Sequence, residues 1–513
     1  MMPTSTPRTP GAGSSTWAAA LLVPLLAGAA APHGGQGSFT FAVTYTPDVH
    51  PGSISARVYV MLVEPGDRKE PRRYDDWFPP RPVLAVGARD RRPGEPFRIG
   101  PGASGTPGPL ESLPQGSTWI AQAIVRLNPD TRAIGDGPVN GYPRSVHITL
   151  DPDAGGTAAL TIDRIVTPRR FKETGRIRLV EVPSPLLSRF HRRPVRHRAA
   201  VILHEGNPSH RRPTLYIAPS PGGDHTMAKK VARDPRFAFG RDMICVVLDP
   251  DCGTGHHAFA DSASNGPRGR ALVEELIPYF EDTFHALPDP SARLLNGHSS
   301  GGWSALWLQV TYPDTFGGAW TTGPDSVDFR DFQRVDLDEP GANLYRDPAG
   351  DRRPIARQGT SPVLSFDDFA HREDVLGDGG QLGSFEAAFS PPGPDGRPRP
   401  LWDRTTGAVD PKVARSWGRY DIRLVLEGNW ATLDPRLAGK LHVFADSLDT
   451  FYLEGAVKPL GESLAGIGGG AVVEVVPGKD HFSLIDRALA ARFDREMREA
   501  VGSKDDAPSL PTR

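Results

Sequence analysis

Gly297-His298-Ser299-Ser300-Gly301 is the stretch that most narrows what this chain can fold into. In a Gly-x-Ser-x-Gly pattern the central serine takes a strained, positive-φ conformation on a sharp turn between a strand and a helix. The two glycines there pass too close to the neighbouring backbone to carry side chains. The flanks supply both elements: Ala292-Arg293-Leu294-Leu295 is a short apolar run suited to a buried parallel strand, and Trp303, Leu306, Trp307 and Val310 recur at helical spacing until Tyr312-Pro313. With 56 Gly in 513 residues the pentapeptide alone is weak, so its force comes from this context.

Basic and acidic residues nearly cancel, for a net charge of -2, and no Lys/Arg block stands out, which argues against nucleic acid or an anionic membrane surface as a partner. At the N-terminus Arg8 precedes the apolar run Trp17 to Leu26 and the small residues Ala27-Gly28-Ala29-Ala30-Ala31. This pattern predicts a cleaved signal peptide over residues 1–31 and a secreted or periplasmic protein, since the run is too short to span a bilayer. The only cysteines are Cys245, in an apolar strand-like run, and Cys252, in the loop after it. They are expected to stay unbridged.

A chain of this length exceeds one hydrophobic core, so two domains are expected. From Phe39 onward Phe39, Phe41, Val43 and Tyr45, then Ile54, Ala56, Val58, Val60 and Leu62, alternate with their neighbours at period two. Residues 38–168 therefore read as an antiparallel β-sandwich-like domain that packs on the next domain or binds a polymer. After Val182-Pro183-Ser184-Pro185, strands alternate with helices, which predicts a mostly parallel sheet over residues 185–502, with Pro278 kinking the helix around 271–284. The alternation stops between 325 and 437, a Pro-, Gly- and Asp-rich stretch read as a cap over the serine, with short helical pieces near Phe366–Val375 and Gln381–Phe389. Residues 503–513 read as a flexible tail.

A serine hydroxyl needs a base to take its proton and a carboxylate to orient that base. Ser299, then Asp449 after a strand, then His481 in Pro477-Gly478-Lys479-Asp480-His481 after the last strand, follow the chain order Ser, acid, His. Asp446 on the same loop and Asp325 after the strand following the elbow are alternative acids. His298 is expected to point away from the serine. Two donors for an oxyanion are expected at the amide of Ser300 and at Gly222 or Gly223 in Ser220-Pro221-Gly222-Gly223. No metal site is expected, because His256-His257 lacks zinc spacing and Asp249, Asp251 and Asp261 match no calcium loop.

Gly297-His298-Ser299-Ser300-Gly301-Gly302, Tyr312-Pro313-Asp314-Thr315-Phe316-Gly317, Glu275-Leu276-Ile277-Pro278-Tyr279-Phe280-Glu281 and Pro477-Gly478-Lys479-Asp480-His481 together resemble esterases of the esterase D and enterochelin esterase type. The resemblance covers roughly residues 195–500 apart from the insertion. It implies an α/β-hydrolase that cleaves carboxylic esters through a Ser/Asp/His triad and an acyl-enzyme without a cofactor; the substrate class is not carried over, and the expected partner is a small-molecule or polymer-linked ester. The chain departs from the family in reading Ala445-Asp446 where relatives often have a glycine-acid turn, and in the length of its insertion. The same triad would serve a serine peptidase or an acyltransferase, and a polysaccharide-binding protein with a degenerate hydrolase domain is the reading of another class.

Overall fold

The computed structural model describes residues 38–73, 81–151, 155–204, 210–240 and 242–502. The segment 1–31 expected to be a signal peptide and the expected tail 503–513 lie outside the described residues. Among the described residues no helix is long and apolar enough to cross a membrane.

Eight strands form the central sheet: β1 Ile177–Pro183, β2 Arg196–Ile202, β3 Thr214–Ala218, β4 Ile244–Leu248, β5 Arg293–His298, β6 Gly318–Thr322, β7 Leu441–Asp446 and β8 Val472–Val476. Their order is β1-β2-β4-β3-β5-β6-β7-β8; β2 runs antiparallel to β1 and β4, and the pairs from β4 to β8 are parallel. This is an α/β-hydrolase sheet. Successive residues feed opposite faces. Ala199 and Val201 enter a core with Leu272, Phe280 and Leu308, while Ala200 and Ile202 enter one with Val231, Phe493 and Met497. A sheet buried on both faces needs such continuous apolar runs.

The sheet begins upstream of the expected boundary at 185, because β1 pairs with β2 along its whole length. The helix before the elbow is irregular in a different way from the kink expected at Pro278. α-Helical turns at Arg268–Ala271 and Ile277–Thr283 flank a π-helical stretch, Leu272–Leu276, so the missing amide of Pro278 falls near the start of the second segment.

The elbow helix α1 is Ser300–Thr311; the insertion carries α2 Phe366–Leu376 and α3 Gln381–Phe389; and α4 is Ile422–Leu437. Parallel neighbours β6 and β7 require a crossover, usually a helix, and α4 supplies it, packing Leu426, Leu433 and Leu437 into the core that holds Trp303, Leu306 and Val310 of α1. α4 therefore belongs to the hydrolase scaffold, and the insertion ends near 421 rather than 437.

The N-terminal strands form two sheets around Phe41, Val43, Tyr45, Val58, Val60, Leu62, Ala121 and Val125. The pairing is mixed rather than purely antiparallel, since Phe39–Tyr45 runs parallel to Gly156–Ile162. The alternate residues Tyr59, Met61, Ala85 and Ile124 point out of this sandwich and pack on Val375 of α2. The Tyr59 hydroxyl donates to the Leu376 carbonyl at 2.6 Å, and Arg57 Nε donates to that of Val375 at 2.9 Å. The β domain is thus docked on the insertion.

Candidate active site

β5 ends at His298 and α1 begins at Ser300, which leaves Ser299 between them at φ 58°, ψ -130°. The glycines permit this. A Cβ at Gly297 would lie 2.0 Å from the Gly301 carbonyl oxygen, and one at Gly301 would lie 2.0 Å from that of Ala218. The Ser299 amide donates to the Thr322 carbonyl at 3.0 Å, pinning the turn to the end of β6.

Loops after β7 and β8 bring the other two residues to the same sheet edge. They are cross-braced, with Ser447 N–H donating to the Val476 carbonyl and Leu448 N–H to that of Lys479, both at 3.0 Å. His481 Nδ1 lies 2.7 Å from Asp449 Oδ2, and both residues are buried. Burial works to raise the Asp449 carboxyl, but the charge and hydrogen bond of His481 and the amides of Phe451 and Leu453 outweigh it and hold the group below its ordinary value. With Nδ1 engaged, Nε2 is the imidazole nitrogen left to act as a base. The Ser299 hydroxyl makes no direct hydrogen bond to the imidazole; such contacts often tighten only when substrate binds.

The two alternative acids are also buried here, with different partners. Asp325 accepts a hydrogen bond from the Ser300 hydroxyl rather than from His481, and burial, opposed chiefly by that bond, pushes it up to about 6. Asp446, at the end of β7, has both carboxyl oxygens buried without a donor. Burial first, then the charge of Asp449 and a hydrogen bond to it, push it up to about 9, so it is a neutral acid able to donate to Asp449. Among the described residues Asp446, Asp449 and His481 each offer a ligand atom within 4.8 Å of the others. An ion that took His481 Nδ1 would displace its contact with Asp449.

The Ser300 amide sits in the first turn of α1, where helix N–H groups lack intrahelical acceptors. In the facing loop the Gly223 N–H closes a turn onto the Ser220 carbonyl at 2.9 Å, and Gly222 takes φ +82°. Gly223 has therefore spent its donor, while Gly222 has not. The Ser220 hydroxyl ties this loop to the His298 carbonyl at 2.7 Å.

Three residues contribute in ways the sequence reading missed. His298 is not turned out of the site. Its ring lies 4.3 Å from that of His481, with Nδ1 3.1 Å from Thr322 Oγ1, and burial, then the His481 charge, lower it to about 3, so it is a neutral wall. Gln381, at the start of α3, donates to Ser300 Oγ at 3.0 Å, placing the insertion on the elbow. Arg357, also from the insertion, donates Nε–H to the Asp449 carbonyl at 2.8 Å and pairs with Glu454. The signal for His298 was its place beside the serine; the contacts of Gln381 and Arg357 are long-range and leave no local pattern.

Residues 256–436 match the family described as "Putative esterase", a span that includes Ser299 and stops short of Asp449 and His481. Similar solved structures include the fluorophosphonate-binding serine hydrolase F of Staphylococcus aureus (14% identity, 64% of this chain and 99% of that one, TM-score 0.37). Others are an S-formylglutathione hydrolase from Agrobacterium tumefaciens (14%, 64% and 96%, 0.37) and Mycobacterium tuberculosis MPT51 (14%, 64% and 99%, 0.39). No curated protein matches the chain in sequence.

Proposed function

We propose that the domain whose residues 256–436 match the family described as "Putative esterase" hydrolyses carboxylic esters through Ser299, His481 and Asp449. The observation that carries the reading is the buried 2.7 Å contact between His481 Nδ1 and Asp449, beside a serine held at positive φ. Ser299 Oγ attacks the ester carbonyl carbon while His481 Nε2 takes its proton, and Asp449 orients the ring and stabilises the imidazolium. The resulting oxyanion is met by the amides of Ser300 and Gly222. Collapse breaks the bond to the alcohol oxygen, which leaves with the proton from His481. Water, deprotonated by the same nitrogen, then cleaves the acyl-enzyme.

The test is hydrolysis of p-nitrophenyl esters and labelling by a fluorophosphonate probe. Ser299→Ala should abolish both with the circular dichroism spectrum unchanged, and chelators should leave wild-type activity intact. Full activity in folded Ser299→Ala would overturn the reading. Loss of wild-type activity on chelation would instead favour a metal on Asp446, Asp449 and His481.

A further inference from the structure

Away from the serine, a cavity of about 600 Å³ lies where the β domain, the hydrolase domain and the insertion meet. Five guanidinium groups line it, from Arg57, Arg126, Arg193, Arg268 and Arg397, against one lining carboxylate, Asp378. Asp378 pairs with Arg397, and Arg193 pairs with Asp130 at 2.6 Å. The other three have no carboxylate partner among the described residues. Arg57 donates to the carbonyls of Val375 and Asp374, Arg126 to those of Asp378, Thr131 and Gly253, and Arg268 through Nε alone to that of Asn265 at 2.9 Å. A carbonyl satisfies an N–H but cancels no charge, so three guanidinium groups from two domains line one cavity without an ion-pair partner among the described residues.

His191 on its wall senses this. Burial lowers its imidazole first, and the charges of Arg268 and Arg193 lower it further. Guanidinium forks match tetrahedral oxyanions bidentately, and Arg268 keeps both terminal nitrogens, and Arg57 keeps Nη1, free for such contacts.

We propose that this cavity binds a small molecule bearing a phosphate or sulfate group, held by Arg57 and Arg268 across the domain junction. The space exceeds what a bare oxyanion needs, so the ion is the anchoring group of a larger ligand. Because the two arginines come from different domains, occupancy should also tie the domains together.

Thermal unfolding and titration calorimetry on the full chain test this, with sodium phosphate, sodium sulfate and, at matched ionic strength, sodium chloride. Phosphate or sulfate should raise Tm saturably and chloride should not. Arg268→Gln and Arg57→Gln should each weaken the binding by roughly 10-fold or more, while Arg436→Gln, which removes an exposed partner of Asp314 outside the cavity, should not change it. Either of the two cavity variants suffices if the other fails to fold. A Tm that follows ionic strength whatever the anion, or phosphate binding that survives both cavity substitutions, overturns the proposal.

Discussion

β6 and β7 are parallel neighbours, and each runs out into buried carboxyl groups within reach of one histidine, yet the two strand ends hold those groups in different states. Beyond β7, Asp449 meets the histidine and two backbone amides and is held ionised. Beyond β6, Asp325 meets a serine hydroxyl and is raised to about 6; at the end of β7 itself Asp446, whose carboxyl oxygens have no donor, is raised to about 9. All three are buried, so burial does not separate them. The donors supplied to each carboxyl do, and only Asp449 is hydrogen-bonded to the imidazole that a triad acid would orient.

Exchanging each acid for its amide should give the largest contrast. Asp449→Asn is expected to lower kcat for p-nitrophenyl ester hydrolysis by about 10³–10⁴-fold, because the amide presents the wrong partner to His481 Nδ1. Asp325→Asn should cost about tenfold or less, since Ser300 can still donate to the amide oxygen. A larger loss in the second variant would move the acid to β6. The strand ends also touch at Gly323, which has φ +45° and lies where a Cβ would be 3.2 Å from His481 Nδ1 and 3.4 Å from Asp449 Oδ2. Gly323→Ala should therefore strain the turn by about 1 kcal/mol and lower kcat roughly 10- to 100-fold by displacing the imidazole. Unchanged kcat with lowered Tm would show that the pair tolerates the displacement.

What the sequence made legible follows the range of the forces involved. The elbow was readable because the close approach of Gly297 and Gly301 is a local steric demand, and the strands because alternation of apolar residues is local too. α4 was hidden: Gly428, Asn429 and Pro435 interrupt its pattern, and its helicity follows from the crossover that β6 and β7 impose. The parallel pairing of Phe39–Tyr45 with Gly156–Ile162 joins segments more than a hundred residues apart and has no local signature. At the site, the order Ser299, Asp449, His481 could be written from the chain, whereas the contacts that favour one of three aspartates come from other loops.

Gln381 extends the contrast to the insertion, since it completes the hydrogen bonding of Ser300, the partner of Asp325. Gln381→Ala should change kcat by less than about tenfold, the scale of one neutral hydrogen bond, and should alter the Asp325→Asn variant and the wild type by different factors. Equal factors in a double-mutant cycle would show that the insertion does not act through that carboxyl.

The remaining effect is in stability, and it isolates Asp446. An unfolded aspartate releases its proton near 4, whereas Asp446 in the fold keeps its proton to about 9, because it is buried, Asp449 and Glu454 face it, and the nearby donors His481 and Arg357 are already paired to those two carboxyls. Between these values the native chain binds a proton that the unfolded chain has lost, so this group makes stability fall as pH rises. Asn at 446 cannot ionise and its amide still donates to Asp449. The Tm of Asp446→Asn relative to wild type should accordingly climb from pH 5 to pH 9, by about 2–4 °C for each kcal/mol removed, with activity at pH 7 nearly kept. Parallel Tm curves across that range would mean that Asp446 is ionised in the fold, and the contrast of Asp449 with the other buried carboxyls would then rest on Asp325 alone.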